Sequence, residues 1–323
     1  MKLYPLKFLP KYYYRIWGGN KLREKLNKNY KGDSIGESWE ISDIKNSETT
    51  VANGAFKGKT LKELLAVYKE DIVGTKNYKI FGNDFPLLIK FIDAKKPLSI
   101  QVHPSDDLAK KRHDSFGKNE MWYVMEADKN AELIVGFNKQ IDEKEYVKHL
   151  NNLTLNEILN IEKVQKGDTF NIPTGRVHAI GAGVLLAEIQ QTSNVTYRIF
   201  DYDRLDVITG NKRELHTDLA LEAIDYKYHD NYKVSYNKKE NNTSLLVHTK
   251  YFKTNIIDIS GKIEKNYSNL DSFVIYMCVK GVMSIEYQKM SYILNYGETI
   301  LIPANIDHLK LVGEKVTVLE VYL

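Results

Sequence analysis

Cysteine is almost absent: the 323 residues hold one thiol, Cys278. A single cysteine excludes an intramolecular disulfide and with it the small disulfide-stapled secreted folds. Its place in the apolar run VIYMCV reads as buried packing, not as a nucleophile, so covalent cysteine catalysis is set aside. Long apolar runs are also lacking, since none approaches the roughly 18 residues that a membrane-spanning helix needs. The N-terminal stretch MKLYPLKFLPKYYYR has charges and prolines where a signal peptide would need an apolar centre, and the expected location is cytoplasmic. Nor does one sign of charge dominate. The 46 basic and 42 acidic side chains leave a net charge of +4, too small and too dispersed to argue for nucleic acid. Lysine pairs such as Lys110 with Lys111 and Lys238 with Lys239 read as solvated loop faces.

What is present is the composition of a globular chain, long enough for two domains and, at 43% hydrophobic residues, able to build their cores. Tyr, Val, Ile and Thr dominate runs at 86–92, 121–125, 168–172, 184–189, 245–258, 272–287 and 299–303, which are expected to be strands. Helical spacing occurs at 59–72, 142–150, 153–161 and 216–225. The expected fold is therefore mainly β, with sandwiches of jelly-roll type and helices at the periphery. Residues 227–243, KYHDNYKVSYNKKENNT, offer no core face and mark the expected boundary between domains at 1–235 and 236–323.

The most informative segment is residues 167–178, GDTFNIPTGRVH. Gly167 and Asp168 suit a turn, an apolar alternating run follows, and Pro173 with Gly175 re-aims the chain before it delivers the imidazole of His178. The spacing repeats at residues 297–308, GETILIPANIDH, with Asn305 in the place of Gly175. Upstream, Gln101 and His103 in PLSIQVHPSD are two apart in an extended run and so project from one face. Glu120 in GKNEMWYVM opens another strand. Separately, each has an ordinary reading, a solvated amide, a hydrogen-bonded imidazole or a surface carboxylate. Together they form a set of nitrogen and oxygen donors without thiolate. Such a set suits zinc, iron, manganese or nickel in an open, catalytic site better than a closed structural zinc site. The second repeat has no such companions, and His308 reads as a structural remnant.

These motifs resemble the type I mannose-6-phosphate isomerases of the short bacterial form, members of the cupin superfamily. The likeness runs nearly end to end: RIWGGNKL at 15–22, GESWEIS at 36–42, PLLIKFIDAKKPLSIQVHPSD at 86–106, GKNEMWYV at 117–124, and IPTGRVHAIGAGVLLAEIQQTSNVTYRIFDYDR at 172–204. The resemblance implies two cupin jelly-roll barrels, catalytic in 1–235 and degenerate in 236–323. It implies one zinc ion per chain, other divalent metals fitting the same donors, held by Gln101, His103, Glu120 and His178. The substrate site it implies comprises Lys90, Ser99, Lys118, Glu188 and Arg198, with Ser99, Lys118 and Arg198 binding substrate and Arg198, Lys118, Lys90 and Glu188 taking catalytic parts. One departure stands out. Many family members have Asp four residues before that arginine, where this chain has Asn194, which cannot act as a base, so Glu188 or Asp201 would have to take over.

The implied reaction interconverts mannose 6-phosphate and fructose 6-phosphate through a cis-enediol, moving a proton between neighbouring carbons while negative charge develops on oxygen. A divalent ion, lysines and arginine can all stabilise that charge. Lys90 interrupts the apolar strand PLLIKFID and is expected to be desolvated, with a lowered pKa or an ion pair to Asp93. Arg198 offers a fork of donors to phosphate or pairs with Asp201 or Asp203. Trp17, Trp39 and Trp122 read as core anchors. A noncatalytic metal cupin that binds or senses a sugar phosphate is the alternative, and Asn194 is what favours it. The expected partner is the small sugar phosphate, with no nucleic acid or membrane; protein partners are not legible.

Overall fold

In the computed structural model, which describes residues 2–323, three large antiparallel sheets carry the fold and seven α-helices lie at their margins. The six-stranded sheet runs in the order Thr169–Ile172, Glu120–Ala127, Val184–Gln191, Leu87–Ala94, Lys11–Gly19 and Ile35–Ile41, the last also pairing with Leu87–Ala94. The five-stranded sheet runs Tyr197–Phe200, Ile100–Val102, His178–Ile180, Glu132–Phe137 and Leu159–Lys163. The third, built from residues 243–322, pairs Lys253–Asn266 and Val274–Lys280 with the long strand His308–Tyr322. None of these sheets closes into a hydrogen-bonded ring among the described residues. Each jelly roll is a pair of faces packed on one another.

Period-two alternation explains why the central strands are buried on both sides. Leu87, Ile89 and Phe91, Met121, Tyr123 and Met125, and Leu185, Ala187 and Ile189 enter one apolar cluster together with Phe273, Ile275, Met277, Leu319 and Val321 of the C-terminal sheet. The intervening Ile92, Trp122, Val124, Val184 and Leu186 point the other way, toward Leu133, Val135 and Ile180 of the five-stranded sheet. The even-numbered face thus lines the N-terminal interior, where Lys90, Glu120 and Glu188 are placed. Helices Asp106–His113, Glu143–Asn151 and Thr217–Ala223 cover the outside of the five-stranded sheet, contributing Leu108, Tyr146 and Ala220 to a cluster with Ile100, Val102, Tyr197 and Ile199. Those odd and even choices leave Gln101 and Arg198 turned inward.

Several sequence expectations need correction. The helix expected at 153–161 is a 3-10 turn, Leu155–Glu157, followed by strand Leu159–Lys163. Leu153, at φ 59°, breaks the helix, while Leu155, Ile158 and Leu159 satisfy a helical spacing by being buried across a turn and a strand start. The run 59–72 divides at Lys69, φ 47°, into Leu61–Tyr68 and Glu70–Val73; a reciprocal Thr60 and Glu63 capping box starts the first. The strand run 245–258 is split by a turn in which Thr249 Oγ1 accepts from the N–H groups of Tyr251 and Phe252, both at 3.1 Å. Helices Thr75–Phe81 and Asp106–His113 were not anticipated, the second because it buries only Leu108 and Ala109. Between 227 and 242 only isolated bridges form, such as Phe170 with Lys233.

Candidate active site

Gln101 lies in the middle strand of a three-strand group, with His178 opposite on one side and Arg198 on the other. His103, two residues after Gln101, lies just past the end of that strand. Glu120, the first residue of its strand, reaches the same point from the facing sheet. His103 Nε2 is 3.3 Å from Glu120 Oε1, and His178 Nε2 is 3.9 Å from Glu120 Oε2. Gln101 Nε2 is 3.2 Å from His178 Nε2, and a half-turn of that amide presents Oε1 instead.

The imidazole tautomers follow from their other nitrogens. His178 Nδ1 donates to Arg176 O at 2.8 Å and His103 Nδ1 donates to Val195 O at 3.1 Å, so each Nε2 carries a lone pair aimed at the common point. Burial, with Lys118 adding to it, pushes His103 down to about 3, and burial lowers His178 as well. Both rings are thus neutral, as ligands must be. Burial alone would raise the Glu120 carboxyl, but Lys118 nearby holds it well below the usual range. His103 Nε2 and both Glu120 oxygens are buried without a hydrogen-bond partner, an arrangement costly in a protein interior. One ligand atom each from His103, Glu120 and His178 lie within 4.8 Å of one another. A divalent cation would satisfy all three orphaned atoms at once, so the donor set fits the metal that the sequence implied.

Above this point opens a cavity of about 420 Å³. Lys90, Ser99, Gln101, Lys118, Glu188 and Arg198 all line it, as does Asn194. Lys118 Nζ lies 3.0 Å from Glu120 Oε1. Ser99 Oγ is 3.5 Å from Gln101 Oε1. Arg198 donates one guanidinium N–H to Glu214 O at 2.7 Å, and its buried Nε has no partner. Asp201, offered as its structural mate, instead binds Arg204 and Arg213, and Asp203 pairs with Lys212. Burial and then the neighbouring Arg213 lower the Arg198 guanidinium from its ordinary value.

The expectation for Lys90 is overturned in both forms. Its Nζ donates to Glu188 Oε1 at 2.8 Å and to Gln190 Oε1 at 2.6 Å, while Asp93 accepts the backbone N–H of Lys21. Burial disfavours the ammonium, but Glu188, Glu37 and Glu120 outweigh it and raise Lys90 above the usual lysine range. Glu188, register partner of both Lys90 and Trp122, also accepts Trp122 Nε1–H at 3.1 Å. Burial and then Glu120 raise its carboxyl above the ordinary value. His308 is exposed at the start of its strand.

Sequence reasoning missed one wall of the cavity. Arg15 forms two 2.9 Å hydrogen bonds to the two oxygens of Glu37, which also accepts Trp39 Nε1–H at 2.6 Å. Lys90 Nζ stands 5.2 Å over the Trp39 ring. Trp17 and Trp39 are buried as expected, yet both face the cavity. The alternation Glu37, Trp39 in GESWE was the available signal, since it puts an acid and an indole on one strand face.

Residues 6–162 match the family model of the phosphomannose isomerase type I catalytic domain, and residues 241–323 match that of the mannose-6-phosphate isomerase cupin domain. The mannose-6-phosphate isomerase ManA of Bacillus subtilis is 34% identical over 312 residues, covering 96% of each chain. A mannose-6-phosphate isomerase of Streptococcus mutans is 32% identical over 315 residues, again covering 96% of each. The crystal structure of the mannose 6-phosphate isomerase from Bacillus subtilis superimposes with a TM-score of 0.90 at 33% identity, covering 99% of this chain and 100% of that one.

Proposed function

Since the chain belongs to the type I phosphomannose isomerase family, we propose how its residues divide the aldose–ketose isomerisation among them. The protein interconverts mannose 6-phosphate and fructose 6-phosphate, and a sugar phosphate is its substrate. Zinc is the metal in this reading, one ion per chain, held by Gln101, His103, Glu120 and His178. When bound, it stabilises negative charge on substrate oxygen as a Lewis acid.

The proton moves from C2 of the aldose to C1 through a cis-enediol. Glu188 is the carrier: it is a buried carboxyl on the cavity wall with an elevated affinity for protons. Asn194 has no titratable group; Asp201 does not line the cavity, and although burial would raise it, Arg213 and Arg204 hold it below its ordinary value. Lys90 remains an ammonium and steadies the charge on Glu188. Lys118 and Arg198 donate to the sugar or phosphate oxygens, with Ser99 adding a hydroxyl. Residues 1–235 form the catalytic domain and 236–323 the degenerate cupin domain, in a cytoplasmic protein, where a single free thiol and a phosphorylated metabolite both belong.

The observation that carries this reading is the convergence of His103 Nε2 and the Glu120 oxygens, buried without hydrogen-bond partners, directly behind Gln101 and Lys118 of a cavity that Lys90 and Arg198 also line. Purified protein is expected to form mannose 6-phosphate from fructose 6-phosphate, to stop with chelator and to recover with zinc. Arg198→Lys keeps metal and fold but lowers kcat/KM by roughly 30- to 1,000-fold, the range for removing one charged donor. A fall in kcat would mark a contact that strengthens in the transition state, and a rise in KM alone uniform phosphate binding. Unchanged kcat/KM in a folded, metal-loaded variant removes Arg198 from the site.

A further inference from the structure

The C-terminal sheet touches the candidate metal centre through a chain of hydrogen bonds. Tyr251, in the turn between Thr243–His248 and Lys253–Asn266, donates its hydroxyl to Asp106 Oδ2 at 2.5 Å. Asp106 Oδ1 accepts Gly117 N–H at 2.9 Å and Gln191 Nε2–H at 3.1 Å. Gln191 Oε1 accepts both the backbone N–H of Asn119, at 3.0 Å, and its side-chain Nδ2–H, at 2.7 Å. Asn119 Oδ1 then accepts Thr174 N–H at 3.2 Å, and the next amide, Gly175, donates to His103 O at 3.0 Å.

Every segment that carries a donor is held by this chain. Gly117 and Asn119 flank Lys118 just ahead of Glu120, Thr174 and Gly175 form the turn before His178, and Asp106 follows His103. A Cβ on Gly117 would meet Asp106 N at 2.7 Å and Asp106 Oδ1 at 2.9 Å, so glycine is what lets residues 117–120 lie against the carboxylate. Gln191 and Asn119 are each 6% exposed, so water is poorly placed to replace a partner in the inner links, while the Asp106 side chain is 35% exposed. Lys250 is 3.6 Å from Asp106 Oδ2 but largely exposed, which makes the Tyr251 hydroxyl the better fixed of its two partners.

We propose that Tyr251 is a positioning residue for the metal centre, acting through Asp106, Gln191 and Asn119 on the segments that present Glu120 and His178. The inference rests on the reading of His103, Glu120 and His178 as metal donors. Groups that orient ligands typically change metal affinity 10- to 100-fold when removed, and Tyr251 is several bonds out, so the lower end applies. Tyr251→Phe keeps the ring and deletes one hydroxyl. It is expected to weaken zinc binding roughly tenfold in a chelator competition, to regain parental kcat at saturating zinc, and to lower the melting temperature of the metal-free protein by only a few degrees, the effect of one lost hydrogen bond. Asp106→Asn weakens zinc at least as much, and the double variant is no weaker than Asp106→Asn alone, because both act along one path. Tyr322→Phe, which alters the hydroxyl beside Asn255, leaves zinc affinity alone. Parental zinc affinity in Tyr251→Phe, or full additivity in the double variant, overturns the proposal. Full zinc occupancy in His103→Ala would overturn the metal reading instead, so the two failures are distinct.

Discussion

In the N-terminal jelly roll Glu188 lies opposite Lys90 on one side and Trp122 on the other; in the C-terminal one Glu320 lies opposite Asn255 and Tyr276. The positions correspond, because Trp122 pairs onward with Phe170 of the first Gly-to-His repeat and Tyr276 with Ile300 of the second. The contacts correspond too. Lys90 bridges Glu188 and Gln190, while Asn255 bridges Glu320 and Tyr322. A buried glutamate held by an aromatic donor and a cross-strand side chain therefore belongs to the scaffold and is not sufficient for chemistry.

What differs lies around it. Val274 stands at the register position of Glu120, since each faces the isoleucine that ends its repeat strand. Asn266 stands opposite His308 where Gln101 stands opposite His178. The approach to Glu320 is filled by Tyr267 Oη at 2.6 Å and Lys265 Nζ at 2.7 Å, whereas Glu188 faces a cavity. Function follows from the donor set and from access to it.

The harshest test of this contrast is the histidine pair. His103→Ala and His178→Ala are each expected to lose bound metal and to lower turnover by roughly 100- to 1,000-fold or more, while remaining folded on the apolar clusters around the site. His308→Ala should leave metal content and rate at parental values. Metal analysis of the three variants decides it, and metal lost in proportion from His308→Ala would give the second repeat a role that its exposure contradicts.

The two buried acids sharpen the comparison. Glu188→Gln should lower kcat roughly 100-fold or more, the lower end for a proton carrier, with metal retained. Glu320→Gln should leave kcat/KM unchanged and instead destabilise the fold by about 1–3 kcal/mol, because Lys265 and Tyr267 lose a charged acceptor. Denaturant unfolding and steady-state kinetics on both variants separate the effects. A large kinetic defect in Glu320→Gln would mean that the scaffold reading of the buried acid is mistaken.

The candidate donors could be picked out because Gln101, His103 and the turn into His178 are local patterns, and the structure brings His103, Glu120 and His178 within reach of one point. The cavity wall of Arg15, Glu37 and Trp39 was not picked out. The alternation in GESWE puts Glu37 and Trp39 on one face, but that this face meets the cavity depends on Ile35–Ile41 pairing with Leu87–Ala94, which the local pattern does not encode. Lys90 was misjudged for the same reason: an apolar strand suggests a desolvated amine, but its charge is decided by Glu188, 2.8 Å away across the sheet. The role of Asp106 was hidden because its partners come from three distant segments.

The smallest expected effect concerns that unforeseen wall, where the C-terminal sheet has Thr243 and Leu245 at the register positions of Glu37 and Trp39. Burial alone would raise the Glu37 carboxyl, yet Arg15 and then Lys90 bring it down to about 2 from an ordinary 4.5. The unfolded chain therefore takes up this proton before the native state does. The stabilisation is complete above about pH 4.5 and is lost as the pH falls toward 2, with an upper limit of roughly 3 kcal/mol. Glu37→Gln should be less stable than the parent at pH 7 by a fraction of that limit, since the amide still reaches Arg15 and Trp39. The gap should close progressively between pH 4.5 and 2. Denaturant unfolding of both proteins across that range measures the difference, with the other carboxylates cancelling between them. Parallel curves down to the acid limit would show that Glu37 titrates normally, and the charged pair with Arg15 would then be a contact of the cavity wall without consequence for stability.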